Sequence, residues 1–318
     1  MSKASVTVLL ALVIHSGSLV AEPVEPLDKS SGVYEILAGE WSAINERFGP
    51  YSGGLLLQTV RHAHGASTLL VYKDAAGPRP VLFGISKDGA ITWRNYDPLE
   101  GIPNYVYAPH IAGGGDGKTL LMWYGTDPRG VHARLFDGTG TTVWTQEVFK
   151  DRGQGHLNLL SWPEYGWVVT YSTFDGVVTQ LVGTHGERRW GVEGVTLSAK
   201  KSGHNPVSVI QDSPTSVFVL WYDYGQFEEP RRGTTFTAQR MGLDGKLLWA
   251  SPVIVGDAPS FALVTPREIK LTLLSDSAVQ ADLYKGIAGD AIWQVTEYTA
   301  IISSDGQIKI RDGEKSRE

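Results

Sequence analysis

Short apolar runs alternate with glycine-rich polar turns along most of this chain. One unit recurs five times: an extended run, a turn that is Asp-Gly in most copies, and a large apolar residue that closes the next strand. The closing residues lie 46 to 61 positions apart and are Trp93, Trp144, Trp190, Trp249 and Ile310. A strand-only repeat of this length predicts an all-β fold, a β-propeller, because one such sheet cannot bury its faces without neighbours. Five copies predict five blades and leave six open.

The second repeat shows how one blade would be built. Apolar and β-branched residues predict strands at 105–112, 119–124, 131–136 and 142–148, with a hairpin turn at 113–117. The repeated tryptophan is expected to fill the wedge between adjacent blades. Near-continuous apolar runs, typical of strands buried on both faces, predict the second strand of each blade. These runs are 68–72, 119–123, 167–171, 217–221 and 269–273.

The first residues are expected to be a targeting signal and not part of the fold. Lys3 precedes an apolar stretch at 4–14, and small residues before Glu22 form a cleavage site, so residues 1–21 are interpreted as a signal peptide. An uncleaved anchor is the alternative interpretation. The chain has no cysteine, hence no disulfide and no acceptor for an N-terminal lipid. We therefore expect a soluble protein, secreted or periplasmic after cleavage.

The remaining chain divides into three parts. Residues 22–48 are expected to close the ring, with a short helix at 38–48; the propeller spans 49–311, and the charged tail at 312–318 is expected to be disordered. The formal net charge is −6, which argues against a nucleic-acid partner because phosphate binding requires a basic surface. After the first segment, no apolar run approaches the length that a membrane-spanning helix needs.

One stretch carries a resemblance to known propellers. Residues 236–249 combine an Ala-Gln-Arg strand, an Asp-Gly turn and a closing tryptophan, and so resemble repeats of secreted bacterial β-propellers. The tryptophan is also similar to the docking tryptophan of quinoprotein-like propellers, although the cofactor-binding residues usual in those proteins are not recognisable here. This resemblance implies an architecture and no particular activity.

A second resemblance concerns the openings of the first strands. The stretches 107–110 and 204–210 resemble strand openings of five-bladed arabinanase-like glycosidases, a family whose innermost strands present catalytic carboxylates. Hydrolysis needs two such groups, because one protonates the leaving oxygen while the other activates water. The matching openings here carry His110, His156 and His204 and no carboxylate. That departure argues against glycoside hydrolysis by this mechanism.

The three histidines are the candidate metal ligands and catalytic groups. His110, His156 and His204 lie 46 and 48 residues apart, close to the blade repeat, so first strands could bring them together at the channel axis. Three imidazoles could bind a divalent transition metal such as zinc, iron, copper or manganese. One could instead act as a general base, with Tyr107 or Tyr222 as its acid or base partner. The structural alternative is that each histidine only hydrogen-bonds to nearby turns.

Polar and aromatic residues cluster in the connection after the second strand of the fourth blade, which is expected to share the channel mouth. Aromatic, arginine and carboxylate side chains suit a sugar, whose faces stack and whose hydroxyls pair, and they suit a protein partner equally well. A shorter stretch in the fifth blade holds Tyr284, Lys285 and Asp290. The candidate ligand-binding residues are Tyr105, Tyr222, Asp223, Tyr224, Arg231 and Arg232.

Three functions remain open from the sequence. The first is a binding propeller that recognises a glycan or a partner protein through one site. The second is a metal- or histidine-dependent carbohydrate-active enzyme, a lyase or a hydrolase, in which Arg231 or Arg232 would neutralise a substrate carboxylate. The third is a periplasmic assembly or toxin-neutralising factor. Unequal insertions between the repeats favour a single site over one site in every blade.

Overall fold

The computed structural model describes most of the chain from residue 56 to residue 312. The predicted signal peptide at 1–21, His204, the segment 225–233 and the residues after 312 lie outside the described part. The described residues are 40, 43–44, 46, 56–62, 64–74, 77–102, 106–126, 128–150, 155–173, 176–199, 207–224, 234–258, 269–274, 278–287 and 294–312.

Twenty β-strands follow one another in this part of the chain. They are β1 (Leu56–His62), β2 (Gly65–Asp74), β3 (Gly77–Ser86), β4 (Ile91–Asn95), β5 (Val106–Gly113), β6 (Thr119–Thr126), β7 (Arg129–Phe136), β8 (Thr142–Lys150), β9 (His156–Trp162), β10 (Gly166–Thr173), β11 (Gly176–Val182), β12 (Val195–Ser198), β13 (Val207–Ser213), β14 (Ser216–Tyr224), β15 (Thr234–Gly242), β16 (Val253–Asp257), β17 (Lys270–Leu273), β18 (Val279–Ile287), β19 (Gln294–Ile302) and β20 (Ile308–Asp312).

The strands form five four-stranded sheets, each made of four consecutive strands in sequence order. Every pairing is antiparallel, so each sheet is a simple meander in which the first and fourth strands are edges. The predicted all-β fold with five propeller blades is confirmed by this organisation. Each blade is named here by its number in chain order.

The strands of the second blade agree with those predicted from the sequence to within two residues at each end. The fifth blade differs. The run 269–273, expected to be a second strand, is the first strand β17, and β18 is the second. The expectation was wrong because the second strand β18 is not a continuous apolar run: it alternates apolar residues with Gln280 and Asp282.

The chain folds as two compact units. In the described part, the first unit runs to Gln146 and the second begins at Glu147. Within the first unit, β1 packs beside β5; within the second, β9 packs beside β13 and β13 beside β17. First strands of consecutive blades are thus neighbours inside each unit, as in a propeller.

Apolar side chains fill the space between consecutive blades of each unit. In the first unit, Leu69 and Val71 of β2 pack with Leu121 and Trp123 of β6. In the second unit, the same faces of the fourth and fifth blades meet, with Phe218 and Leu220 among the buried residues. Burial on both faces explains why the second strands of the first four blades carry almost continuously apolar runs.

Three closing tryptophans, Trp93, Trp190 and Trp249, pack on the turn of the following blade. A Cβ atom at Gly140 would lie 2.5 Å from the Trp93 ring, and one at Gly306 would lie 3.4 Å from the Trp249 ring. Both glycines have a positive φ, +81° and +86°, which the tight hairpin turn requires. Ile310, the apolar substitute in the fifth repeat, is instead 51% exposed.

Four described residues precede the first sheet: Glu40, Ala43, Ile44 and Glu46. All four have helical conformation and lie in the stretch where a short helix is expected, and Ile44 is fully buried. Within the described residues, no helix combines the length and apolar character needed to cross a membrane.

Candidate functional site

The turn between the third and fourth strands gives a common reference for all five blades. In each blade, the residue that opens this turn accepts a hydrogen bond from the turn glycine and donates one to the residue four positions later. The third strand ends at this turn and pairs with the second strand, which pairs with the first. These pairings identify one equivalent residue in each first strand. These residues are Gln58, His110, Asn158, Ser208 and Lys270.

Three of the five equivalent residues join their strand to the first strand of the next blade. Gln58 Oε1 accepts a 2.7 Å hydrogen bond from the backbone N–H of Ile111. Asn158 Nδ2 donates to the carbonyl oxygen of Val207 at 3.1 Å. Ser208 Oγ donates to the carbonyl oxygen of Ile269 at 3.2 Å. This position therefore serves blade-to-blade attachment in both units.

His110 and His156 do not occupy equivalent positions in their first strands; they differ by two residues. His110 pairs with Met122 across the first hairpin of its blade, but the equivalent pair in the third blade is Asn158 with Thr170. His156 lies two residues earlier, opposite Ser172, and is exposed, whereas His110 is half-buried. β5 also has a register shift between Tyr107 and His110, before the residues that are compared.

The predicted metal site stays a prediction. His204 lies outside the described residues, so the structure does not show whether the three imidazoles approach one another. Among the residues that are described, no group of three or more His, Asp and Glu side chains is arranged to hold a metal ion.

The predicted ligand-binding residues are only partly described. Tyr222 is 3% exposed, and its ring centroid lies 4.7 Å from that of Phe236 in the core between the fourth and fifth blades. Asp223 follows it in β14 and is also buried. The backbones of Tyr107, Tyr224, Tyr284 and Lys285 belong to β5, β14 and β18. Outside the described residues lie Tyr105, Arg231, Arg232 and Asp290.

A polar cleft in the first unit contains functional groups that the sequence alone did not indicate. Its volume is about 480 Å³, and it lies between the last strand of the first blade and the third and fourth strands of the second. We call it the rim cleft. It is lined by Arg94, Asn95, Tyr96, Asp97, Glu100, Arg134 and Thr142.

One wall of the rim cleft is fixed by the N-terminal helical residues. Arg94 donates two hydrogen bonds to the Glu40 carboxylate, at 2.6 and 2.7 Å, and the Tyr96 hydroxyl donates a third at 2.9 Å. The hydrogen bonds from Arg94 hold the pKa of Glu40 below its usual value, against the opposing effect of burial. Glu40 therefore stays ionised at neutral pH and orients both side chains.

Arg134 forms the inner wall. Only 9% exposed, it donates to Thr145 Oγ1 at 2.9 Å and to the carbonyl oxygens of Pro98 and Glu100 at 2.8 and 3.2 Å. Burial lowers the pKa of the Arg134 guanidinium, while the charges of Asp97 and Glu100 oppose this shift. Arginine starts so high that the group remains charged at neutral pH.

Arg134 stands where two other blades carry a glutamine. Counted from the turn, its equivalents are Phe83, Gln180, Gln239 and Ala300, and each of the two glutamines bonds to the closing segment of its own blade. Gln180 Nε2 donates to Gly191 O, and Gln239 Nε2 donates to Trp249 O. Aligning the third strands of the repeats would have exposed this departure, but the other cleft residues come from a separate blade and share no local spacing.

No protein-family model matches the chain, and no curated protein sequence matches it. Three similar solved structures share 8 to 10% identity with the chain. A eukaryotic initiation factor has a TM-score of 0.45 at 9% identity, covering 85% of this chain, and the chain spans 58% of that protein. A structure from the GH130 family of mannoside phosphorylases has a TM-score of 0.42 at 10% identity, and the match covers 80% of this chain and 85% of that one. That family is described as containing glycoside hydrolases that target β-1,2 mannosidic linkages in Candida mannan. Cellvibrio cellulosa α-L-arabinanase complexed with arabinohexaose has a TM-score of 0.34 at 8% identity, and the match covers 80% of this chain and 93% of that one.

Proposed function

We propose that this chain is an exported β-propeller that binds a glycan without hydrolysing it. The observation that carries the proposal is the composition of the equivalent first-strand position: Gln58, His110, Asn158, Ser208 and Lys270 include no carboxylate. A glycosidase that presents its acid and base from these strands would need two.

The proposed binding site is the segment that follows β14 in the fourth blade. Tyr224, Arg231 and Arg232 would supply a stacking face and hydroxyl-pairing groups, which are the chemistry of sugar recognition. Tyr222 itself is buried, since its ring packs against Phe236 in the core. A protein partner recognised by the same residues is the competing outcome of the test.

Export is part of the proposal. The Lys3 charge, the apolar stretch at 4–14 and the small residues before Glu22 support removal of residues 1–21. N-terminal sequencing of the protein recovered from a periplasmic fraction or from the medium tests this. Recovery only with Met1 in place contradicts it.

Binding is tested with mature protein on an oligosaccharide array, followed by calorimetry on each hit. An Arg231→Ala/Arg232→Ala variant should lose binding, whereas Lys87→Ala, in the exposed turn of the first blade, should not. Hit oligosaccharides are then incubated with the protein and analysed by mass spectrometry. Binding without cleavage supports the proposal; shortened products overturn the non-hydrolytic part, and retention of affinity in the double variant overturns the location.

A metal assay separates the enzymatic alternative. Near-stoichiometric zinc, iron, copper or manganese that disappears in a His110→Ala/His156→Ala/His204→Ala variant would favour the metal-dependent enzyme. The variant must keep the unfolding transition of the parent, because His110 occupies the position that attaches blades elsewhere in the chain.

A further inference from the structure

We propose that the rim cleft is a second sugar-binding subsite, which accepts one neutral monosaccharide unit of a glycan. The inference deepens the proposed glycan-binding function and rests on it. It concerns different residues from the proposed site in the segment after β14, so the two can be tested separately.

The cleft has the size and the lining of a monosaccharide site. Its volume of about 480 Å³ is within the usual range for small-molecule sites. Every lining residue has a hydrogen-bonding side chain. Amide, carboxylate and guanidinium groups can each hydrogen-bond to the vicinal hydroxyls of a sugar. An apolar ligand would leave these protein groups unpaired, at a cost in binding free energy.

Arg134 is the residue that distinguishes this blade. A glutamine completes the sheet at the equivalent positions Gln180 and Gln239, so a buried arginine is not needed for the blade to form. Among the described residues, Arg134 uses Nε and one N–H on each terminal nitrogen for its three hydrogen bonds. One further N–H on each terminal nitrogen can therefore donate to a ligand hydroxyl.

The charge of the cleft selects against anionic sugars. Two arginines, Arg94 and Arg134, stand beside three carboxylates, Glu40, Asp97 and Glu100, which gives a local formal charge of −1. Arg94 is already paired with Glu40. Asp97 and Glu100 offer acceptors to hydroxyl donors, and a hexuronate would meet their repulsion at short range.

The test uses methyl glycosides of neutral hexoses and of the corresponding hexuronic acids. Binding to the mature protein is measured by calorimetry, and hydrogen–deuterium exchange locates it. We expect a neutral hexoside to bind and to slow exchange in residues 94–102. Arg134→Gln, which restores the residue of two other blades, should weaken that binding at least about tenfold, the value of one charge-assisted hydrogen bond, while keeping the unfolding transition.

Two further variants control for general effects. Asp97→Asn should also weaken binding, because it removes an acceptor from the cleft. Asp116→Asn makes the same chemical change in the exposed β5–β6 turn of the same unit and should leave affinity unchanged.

The outcomes separate this inference from the proposed function. Protection confined to residues around 225–233, or unchanged affinity in Arg134→Gln, overturns the rim subsite and leaves glycan binding at the segment after β14 intact. Stronger binding of the hexuronates overturns the neutral specificity. Protection of 94–102 that is lost in Arg134→Gln supports the subsite even where the Arg231→Ala/Arg232→Ala variant behaves as the parent. Absence of binding by every glycan overturns both.

Discussion

The indole Nε1 of Trp190 donates a 3.0 Å hydrogen bond to the carbonyl oxygen of Leu243, 53 residues further along the chain. The same bond recurs one blade later, where Trp249 Nε1 donates to Ser304 O at 3.0 Å. Each closing tryptophan therefore satisfies its only polar atom on the turn of the following blade while its ring covers the turn glycine. The repeated tryptophan specifies both the distance and the orientation between consecutive blades of the second unit.

Gly245→Ala should destabilise the protein more than Gly191→Ala. Both glycines have a positive φ, +79° and +82°, but a Cβ at Gly245 would lie 2.7 Å from the Trp190 ring, whereas one at Gly191 meets nothing within 4 Å. The backbone term costs roughly 1–2 kcal/mol in each variant. Displacing the ring should add about 1–3 kcal/mol at Gly245 alone. Denaturant unfolding measures both; equal losses would contradict the packing role of Trp190.

Two ion pairs in the fourth blade should differ strongly in their contribution to stability. The carboxylate of Asp212 is 1% exposed and bonds to Arg240 Nε and, at 2.5 Å, to Ser216 Oγ. Arg240→Leu would leave this buried carboxylate without its cation, and we expect a loss of about 3–5 kcal/mol. Lys246→Leu breaks an exposed 2.8 Å pair with Asp244 and should cost less than about 1 kcal/mol.

A double variant completes that comparison. Arg240→Leu/Asp212→Leu removes both charges and should recover much of the stability lost in Arg240→Leu, because the uncompensated buried charge is gone. Chemical denaturation of the single and double variants is the measurement. A double variant no more stable than Arg240→Leu would show that the bond from Arg240 Nη1 to Ser304 O, 3.2 Å, dominates instead.

The sequence predicts the features that depend on residues close together in the chain, and it does not predict those that depend on residues far apart in the chain. The strands of the second blade follow from local alternation and from glycines such as Gly117, so they were predicted closely. The offset between His110 and His156 follows from how β5 and β9 pair with their second strands, which no local pattern records. The rim cleft joins Arg94 of one blade to Arg134 of the next, and a site assembled across a blade interface leaves no spacing signature.

The stability of the protein should fall as the pH drops below about 6.5 because of His62. Burial, and secondly the charge of His64, lower the pKa of His62 from its ordinary value of 6.5. The unfolded chain then takes up a proton at a higher pH than the folded chain does, so stability is full above pH 6.5 and decreases down to the folded pKa. Urea unfolding from pH 8 to 5 measures the slope.

Three substitutions show which group causes that slope. His62→Gln should flatten it, whereas Lys309→Gln, at an exposed position of the fifth blade, should preserve it. His64→Gln should reduce it only in part, because burial of His62 remains the larger cause. An unchanged slope in His62→Gln would assign the effect to other groups.

Glu40→Gln should loosen the N-terminal helical residues from the first blade. The loss at neutral pH should be about 1 kcal/mol or less, because Arg94 is 41% exposed and solvent screens the pair. The depressed pKa of Glu40 means that this stabilisation is present above its ordinary value of 4.5 and is lost as the pH falls through the folded pKa. Thermal unfolding at pH 7 and in acid, with exposed Glu46→Gln as control, should show the difference at pH 7 alone.

The attachments made by Gln58, Asn158 and Ser208 separate what keeps the protein folded from what could give it specificity. A side chain whose hydrogen bond is committed to the backbone of the next blade is not available to a ligand. Recognition must then come from residues earlier in the first strands, from the connecting segments and from the outer rim. Substitutions there can change the ligand while the blade contacts persist, so the same scaffold can evolve new specificities without first losing its fold.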